Sequence, residues 1–99
     1  MRTTALTKNE STQRFELTVD GKPAFIVYEP LGDAVLVLTH TEVDPALEGN
    51  GVGSKLVEET LQYIDKQGMR VVATCPFVST YIKHHPDWKR LLADDNAVT

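Results

Sequence analysis

Apolar and polar side chains alternate between Gln13 and Val19, where Phe15, Leu17 and Val19 are interleaved with Arg14, Glu16 and Thr18. That period of two is the pattern of a strand with one buried face. Asp20-Gly21 then supplies a hairpin turn. Pro23–Tyr28 reads as a second strand, Glu29-Pro30-Leu31-Gly32-Asp33 as a break, and Ala34–Val43 as a long third strand rich in Val, Leu and Thr. Strict alternation along the third strand places Val35, Val37, Thr39, Thr41 and Val43 on one face, and Ala34, Leu36, Leu38, His40 and Glu42 on the other. The apolar half of this strand is expected to be buried on both sides, and the polar half to approach a site or solvent.

After the next loop the period lengthens. From Val52, the residues Leu56, Val57, Leu61 and Ile64 recur at helical spacing, and Gly68 is placed to end that helix as a left-handed cap. Met69–Cys75 reads as a fourth strand, parallel to the third through a right-handed crossover, and Pro76 stops it. Phe77, Val78, Tyr81 and Ile82 predict a second helix up to Pro86, with one more turn carrying Trp88, Leu91 and Leu92. The order β-β-β-α-β-α defines an α/β (α+β) fold with a mixed, mostly antiparallel sheet. Met1–Thr12 is polar and aperiodic, so residues 1–12 are expected to form a frayed, flexible start, 13–92 the folded domain and 93–99 a loose tail.

Bulk properties narrow the function classes. Ninety-nine residues with 41% apolar content fit one core. A net charge of −4 argues against a general nucleic-acid footprint, which relies on clustered Lys and Arg. It leaves small anionic ligands open, because backbone N–H groups act at contact range. The single cysteine, Cys75, cannot form an intramolecular disulfide. No apolar run approaches the roughly 20 residues of a membrane helix, and Met1–Ser11 lacks the apolar core of a signal peptide. The expectation is a cytoplasmic protein with no membrane partner and no assigned oligomeric state.

The chemistry is concentrated at Glu48-Gly49-Asn50-Gly51-Val52-Gly53, a glycine-rich turn between a strand and the best helix of the chain. The first N–H groups of a helix have no intrahelical partner, and glycine lets an anion approach them closely. The alternative is an ordinary connection whose glycines serve chain geometry alone. A dinucleotide fingerprint starting at Gly49 would need Gly or Ala where Ser54 stands, and an acid near the end of the next strand, where Cys75 sits. A P-loop needs Gly-Lys-Ser or Gly-Lys-Thr, whereas this chain has Gly53-Ser54-Lys55.

The run from His40 through Gly51-Val52-Gly53 to Val57, followed by Cys75-Pro76-Phe77 after the next strand, resembles the short single-domain GNAT-like N-acetyltransferases, and the likeness extends from Phe15 to Leu92. In that superfamily the pyrophosphate signature is Gln or Arg, two residues, Gly, one residue, then Gly or Ala. Gly51 and Gly53 match it; Glu48 stands where Gln or Arg is usual, and its carboxylate is expected to turn from the phosphates or repel them. The resemblance implies a minimal GNAT-like fold that binds acetyl-coenzyme A as co-substrate. Asn50, Gly51, Val52, Gly53 and Ser54 would offer main-chain donors to its pyrophosphate, and Val43 would hydrogen-bond the pantetheine arm. It also implies that the third and fourth strands splay to admit the thioester, and that an amine attacks directly.

Acetyl transfer to an amine needs a proton acceptor. Glu42 and His40 share one strand face two positions apart and are the candidates; alternatively they are solvated strand-end residues. Cys75 lies at a strand end beside a helix N-terminus, a setting that can expose a thiolate, although a lone intracellular cysteine is often a small packing residue. Near the thioester, without being an obligatory nucleophile, is the expected role. His84-His85 lack a metal-ligand spacing, so no metal is expected. Full-size domains of this superfamily carry further elements around the acceptor, so the amine stays unnamed. The rival is a non-catalytic coenzyme-binding or protein-interaction module that kept the turn and lost the acceptor pocket.

Overall fold

A computed structural model describes residues 2–93. Its strands are β1 (Thr7–Asn9), β2 (Arg14–Val19), β3 (Lys22–Leu31), β4 (Val35–Val43) and β5 (Arg70–Ala73). The helices are α1 (Val52–Lys66) and α2 (Pro76–His84), with short 3-10 turns at Pro45–Leu47 and Pro86–Leu91. The strands form one sheet in the order β1-β2-β3-β4-β5. All neighbours are antiparallel except β4 and β5, which α1 joins as a parallel crossover. The sheet is therefore mixed and mostly antiparallel, as the periodicities predict.

Two expectations are corrected. The polar start is not irregular: β1 pairs with β2, and Thr4 N–H reaches the Thr18 carbonyl at 2.9 Å. Without it β2 would present an open row of backbone donors and acceptors, and side chains of Thr, Lys and Asn suit a covering strand that faces solvent. Likewise β3 runs through Glu29-Pro30-Leu31 rather than breaking there. Tyr28 N–H points away from β4 to the Gln13 carbonyl, so the nitrogen of Pro30, two residues on, lies on the same side, past the end of β2. A missing donor costs nothing there. The tail expected at 93–99 lies outside the described residues from position 94 on; Ala93 donates its N–H to the Val71 carbonyl at 2.9 Å.

One core forms between the sheet and the helices. The buried stripe Val52, Leu56, Val57, Leu61 and Ile64 of α1, with Val78 and Ile82 of α2, meets Phe15, Leu17, Ile26, Tyr28, Leu36, Leu38 and Val71 from the sheet. Gly68 ends the α1 unit with φ +71°, as its position after the last apolar repeat predicts.

Glu58 ties the two helices to the last turn. Its carboxylate accepts from the Tyr81 hydroxyl and from Trp88 Nε1, the latter at 2.9 Å. The Tyr81 hydrogen bond above all holds the Glu58 carboxyl below 4.5, aided by Trp88 and opposed by burial. A folded carboxyl more acidic than the unfolded one stabilises above pH 4.5, and that contribution is lost as pH falls through the folded value. Tyr81 runs the other way: burial first, then Glu58, push its phenol from 10.0 up to about 12. Its contribution is whole below pH 10.0 and is lost as pH rises toward about 12. Tyr81→Phe is expected to lower stability by about 1–2 kcal/mol at neutral pH and to flatten both limbs of the melting profile. An unchanged profile in a pH-series melt would show that Glu58 is not the link.

Candidate functional site

The pairing of β3 with β4 slips beside Val27/Tyr28: His40 faces Val27, Leu38 faces Tyr28, and Thr39 is the extra residue of a bulge. Residues paired directly across an antiparallel ladder share a face. Leu36, Leu38, Thr41 and Val43 therefore lie on the helix side with Pro30, Tyr28, Ile26 and Ala24, while His40 and Glu42 lie on the opposite face with Val27 and Phe25. Strict alternation joins Leu38 to His40 and Glu42; the bulge separates them. His40 and Glu42 do stay together, with Nε2 3.8 Å from Oε1, and both side chains are more than half exposed.

Past the bulge, β4 loses its other neighbour. β5 pairs with β4 only from Val35 to Leu38. Thr74 and Cys75 both donate N–H to the Leu38 carbonyl, at 3.2 and 3.1 Å, and Pro76 turns the chain into α2. Thr39–Val43 continues past the end of β5 with β3 as its only strand neighbour, which leaves a gap on its other side. Cys75, the N-cap of α2, is buried beside this gap, with Sγ 3.3 Å from Thr41 Oγ1.

The glycine turn closes the other end of the gap. Asp44 accepts Ala46 N–H at 2.9 Å and starts the 3-10 turn at Pro45. Gly51 is the N-cap of α1 with φ +74°, a left-handed conformation that disfavours any residue with a Cβ. Lys55 N–H is the first to reach back, to the Gly51 carbonyl at 3.0 Å. The N–H groups of Val52, Gly53 and Ser54 precede it and have no backbone partner among the described residues. The first turn of α1 carries no acidic side chain to occupy them. Asn50 differs, because its N–H already donates to the Leu47 carbonyl at 3.3 Å.

Between the unpaired edge of β4 and this turn lies a cleft of about 450 Å³, lined by Thr41, Glu42 and Val43, by the loop from Leu47 to Gly49, by Gly51–Ser54 and by Phe77. Its size suits a small-molecule site. Unpaired N–H groups at the helix start suit an anionic group, and Val43, Leu47, Val52 and Phe77 add apolar surface to the same cleft. Glu48 also lines the cleft, which puts an acidic residue beside the glycine turn. Of the residues selected from sequence, Glu42, Val43, Gly51, Val52, Gly53 and Ser54 reach the cleft; His40, Asn50 and Cys75 are not among its lining. Phe77 is the addition. Its helical spacing with Val78 and Ile82 marks it for the core, but 45% of it is exposed. The signal is its place two residues after Cys75, at the start of a helix that faces the glycine turn.

A family model described as GCN5-related N-acetyl-transferase matches residues 14–91. A GCN5-like protein from Staphylococcus aureus, solved in solution by NMR, superposes with a TM-score of 0.67 over 92% of this chain and 91% of that one, at 20% sequence identity. The fold is thus a short GNAT-like one. Protein NATD1 of Gallus gallus and of Homo sapiens are each 30% identical over 63 residues, covering 64% of this chain and 57% and 56% of theirs. The chain thus spans little more than half the length of these relatives. On the family match across most of its length, it belongs to the GCN5-related N-acetyl-transferase family.

Proposed function

We propose that the protein binds acetyl-coenzyme A in this cleft and transfers the acetyl group to an amine by direct attack. The observation that carries the proposal is the conjunction of the β4 edge that runs past the end of β5 with the left-handed Gly51 cap and the helix start after it, all lining one cleft. The N–H groups of Val52, Gly53 and Ser54 hold the pyrophosphate, with Gly51 supplying the room, and Val43 hydrogen-bonds the pantetheine arm as it enters the gap. The acceptor nitrogen attacks the thioester carbonyl carbon, the carbon–sulfur bond breaks, and the coenzyme departs as its thiolate. Glu42, at the cleft, takes the proton that the amine loses, directly or through water, and returns it through solvent to the thiolate, so that free thiol and unprotonated Glu42 are restored. The amine itself comes from the open side of the sheet, and the cytoplasm is the proposed location.

A non-catalytic coenzyme-binding module is the second reading, favoured by the exposure of His40 and Glu42. Turnover separates the two. Amine-dependent release of coenzyme from acetyl-coenzyme A across a panel of amines is the expected result; binding without such release selects the module. Cys75→Ala in the same assay is expected to keep a rate within about tenfold of the unsubstituted protein, because its sulfur is buried against Thr41 rather than open to the cleft. A folded, inactive Cys75→Ala protein, together with an acetylated Cys75 detected by intact mass in the absence of amine, would replace direct attack by a two-step route.

A further inference from the structure

We infer that Phe77 is a coenzyme-binding residue, its ring forming the apolar wall against which the pantetheine arm packs, and that Gly53 is a glycine in order to seat that ring. The inference rests on the acetyl-coenzyme A reading of the cleft. Three observations meet on it.

The helix that carries Phe77 does not need it for folding. Val78, Ser79 and Ile82 form the buried side of α2, whereas Phe77 is one of two large apolar side chains left exposed among the described residues. The other, Leu31, lies near the β3–β4 turn, outside the cleft lining. An exposed phenyl group in a cleft has apolar surface to offer a ligand.

Gly53 lies directly against the ring. Gly51 and Gly49 have positive φ and nothing within 4 Å of an added Cβ, so backbone conformation accounts for them. Gly53 is the converse: it has ordinary helical dihedrals, but an added Cβ would stand 2.6 Å from Phe77 Cζ and 3.2 Å from Cε1. Glycine inside a helix costs up to about 1 kcal/mol relative to alanine, and here it permits the ring to lie on the first turn of α1.

That seat sits where the chemistry of the ligand changes. Phe77, Val43, Leu47 and Val52 line the same cleft as the unpaired N–H groups. A phosphate satisfies those donors and gains nothing from a phenyl face. The uncharged arm that follows, with its geminal methyl groups, gains from it by burial.

Truncated ligands test this by calorimetry or by thermal shift. Phe77→Ala is expected to weaken acetyl-coenzyme A and 4′-phosphopantetheine by about tenfold, to leave adenosine 3′,5′-bisphosphate within about twofold, and to leave the ligand-free melting temperature nearly unchanged because the ring is half exposed. Phe77→Leu, which keeps apolar bulk, is expected to recover part of the loss. Gly53→Ala is expected to weaken acetyl-coenzyme A in the Phe77 background and to add nothing in the Phe77→Ala background, a coupling that two independent residues would not show. Undiminished acetyl-coenzyme A binding by Phe77→Ala, an equal loss for the bisphosphate, or additive Gly53→Ala and Phe77→Ala effects would each overturn the role of Phe77 while leaving the cleft as the coenzyme site. Failure of the unsubstituted protein to bind acetyl-coenzyme A would overturn both.

Discussion

Acetyl-coenzyme A is expected to raise the melting temperature of the unsubstituted protein, and Gly51→Val is expected to abolish that shift. Ligand at about 100 times its dissociation constant adds roughly 2.7 kcal/mol to folding, a melting shift on the order of 10 °C for a domain of this size. Two effects act at this position. The φ of +74° places a β-branched residue in the left-handed region, which costs about 1–2 kcal/mol without removing any packing contact. Beyond its chain neighbours, no protein atom lies within 4 Å of the new Cβ, so the valine branches clash with nothing in the protein, and because Gly51 lines the cleft they are expected to take up room there. Gly51→Ala separates the terms: it carries the backbone strain but little of the bulk, and is expected to fold less stably yet keep part of the ligand shift. A Gly51→Val protein that folds and shifts as far as the unsubstituted one would remove the anion site from this turn.

The turn and the strands around it were legible to different degrees, for physical reasons. Periodicity depends on one face being buried, so β2, α1 and α2 were readable from Phe15, Leu17 and Val19, from the Leu56–Ile64 stripe and from Val78 and Ile82, all of which are in the core. Turns requiring positive φ were readable because so few residues accept it: Asp20 and Gly21, at +51° and +79°, make the expected tight hairpin. The bulge at Thr39 had no such marker. It involves no glycine and is fixed by pairing with β3, a contact between distant parts of the chain, and it decides which face His40 and Glu42 occupy. The β1 strand was hidden for a related reason: it covers an edge and buries little, so its side chains carry no pattern. Phe77 shows the limit of periodicity itself, since an apolar residue at helical spacing is equally suited to a core and to a cleft wall.

Cleft geometry breaks the equivalence of the two candidate bases. Glu42→Gln is expected to lower kcat by roughly 10²–10⁴-fold, the usual range for loss of a general base, with coenzyme affinity nearly unchanged. His40→Gln is expected to do much less. Glu42 lines the cleft and His40 does not, although the two stand together on one face. At 3.8 Å the imidazole Nε2 is near enough to orient the carboxylate, and it attracts it electrostatically only when the ring is protonated. On the proposed mechanism His40 is a positioning residue, and its loss is expected to appear as a modest fall in kcat with acetyl-coenzyme A affinity unchanged. The amide introduced by Glu42→Gln keeps the size and some hydrogen bonding of the carboxylate while removing its ability to take a proton, so a loss in that variant reports on proton transfer. Single-turnover rates measured with saturating acetyl-coenzyme A separate this step from binding. Equal losses in both variants would make the pair a unit rather than a base and its support, and full activity in Glu42→Gln would move the proton acceptor to water or to the amine substrate itself.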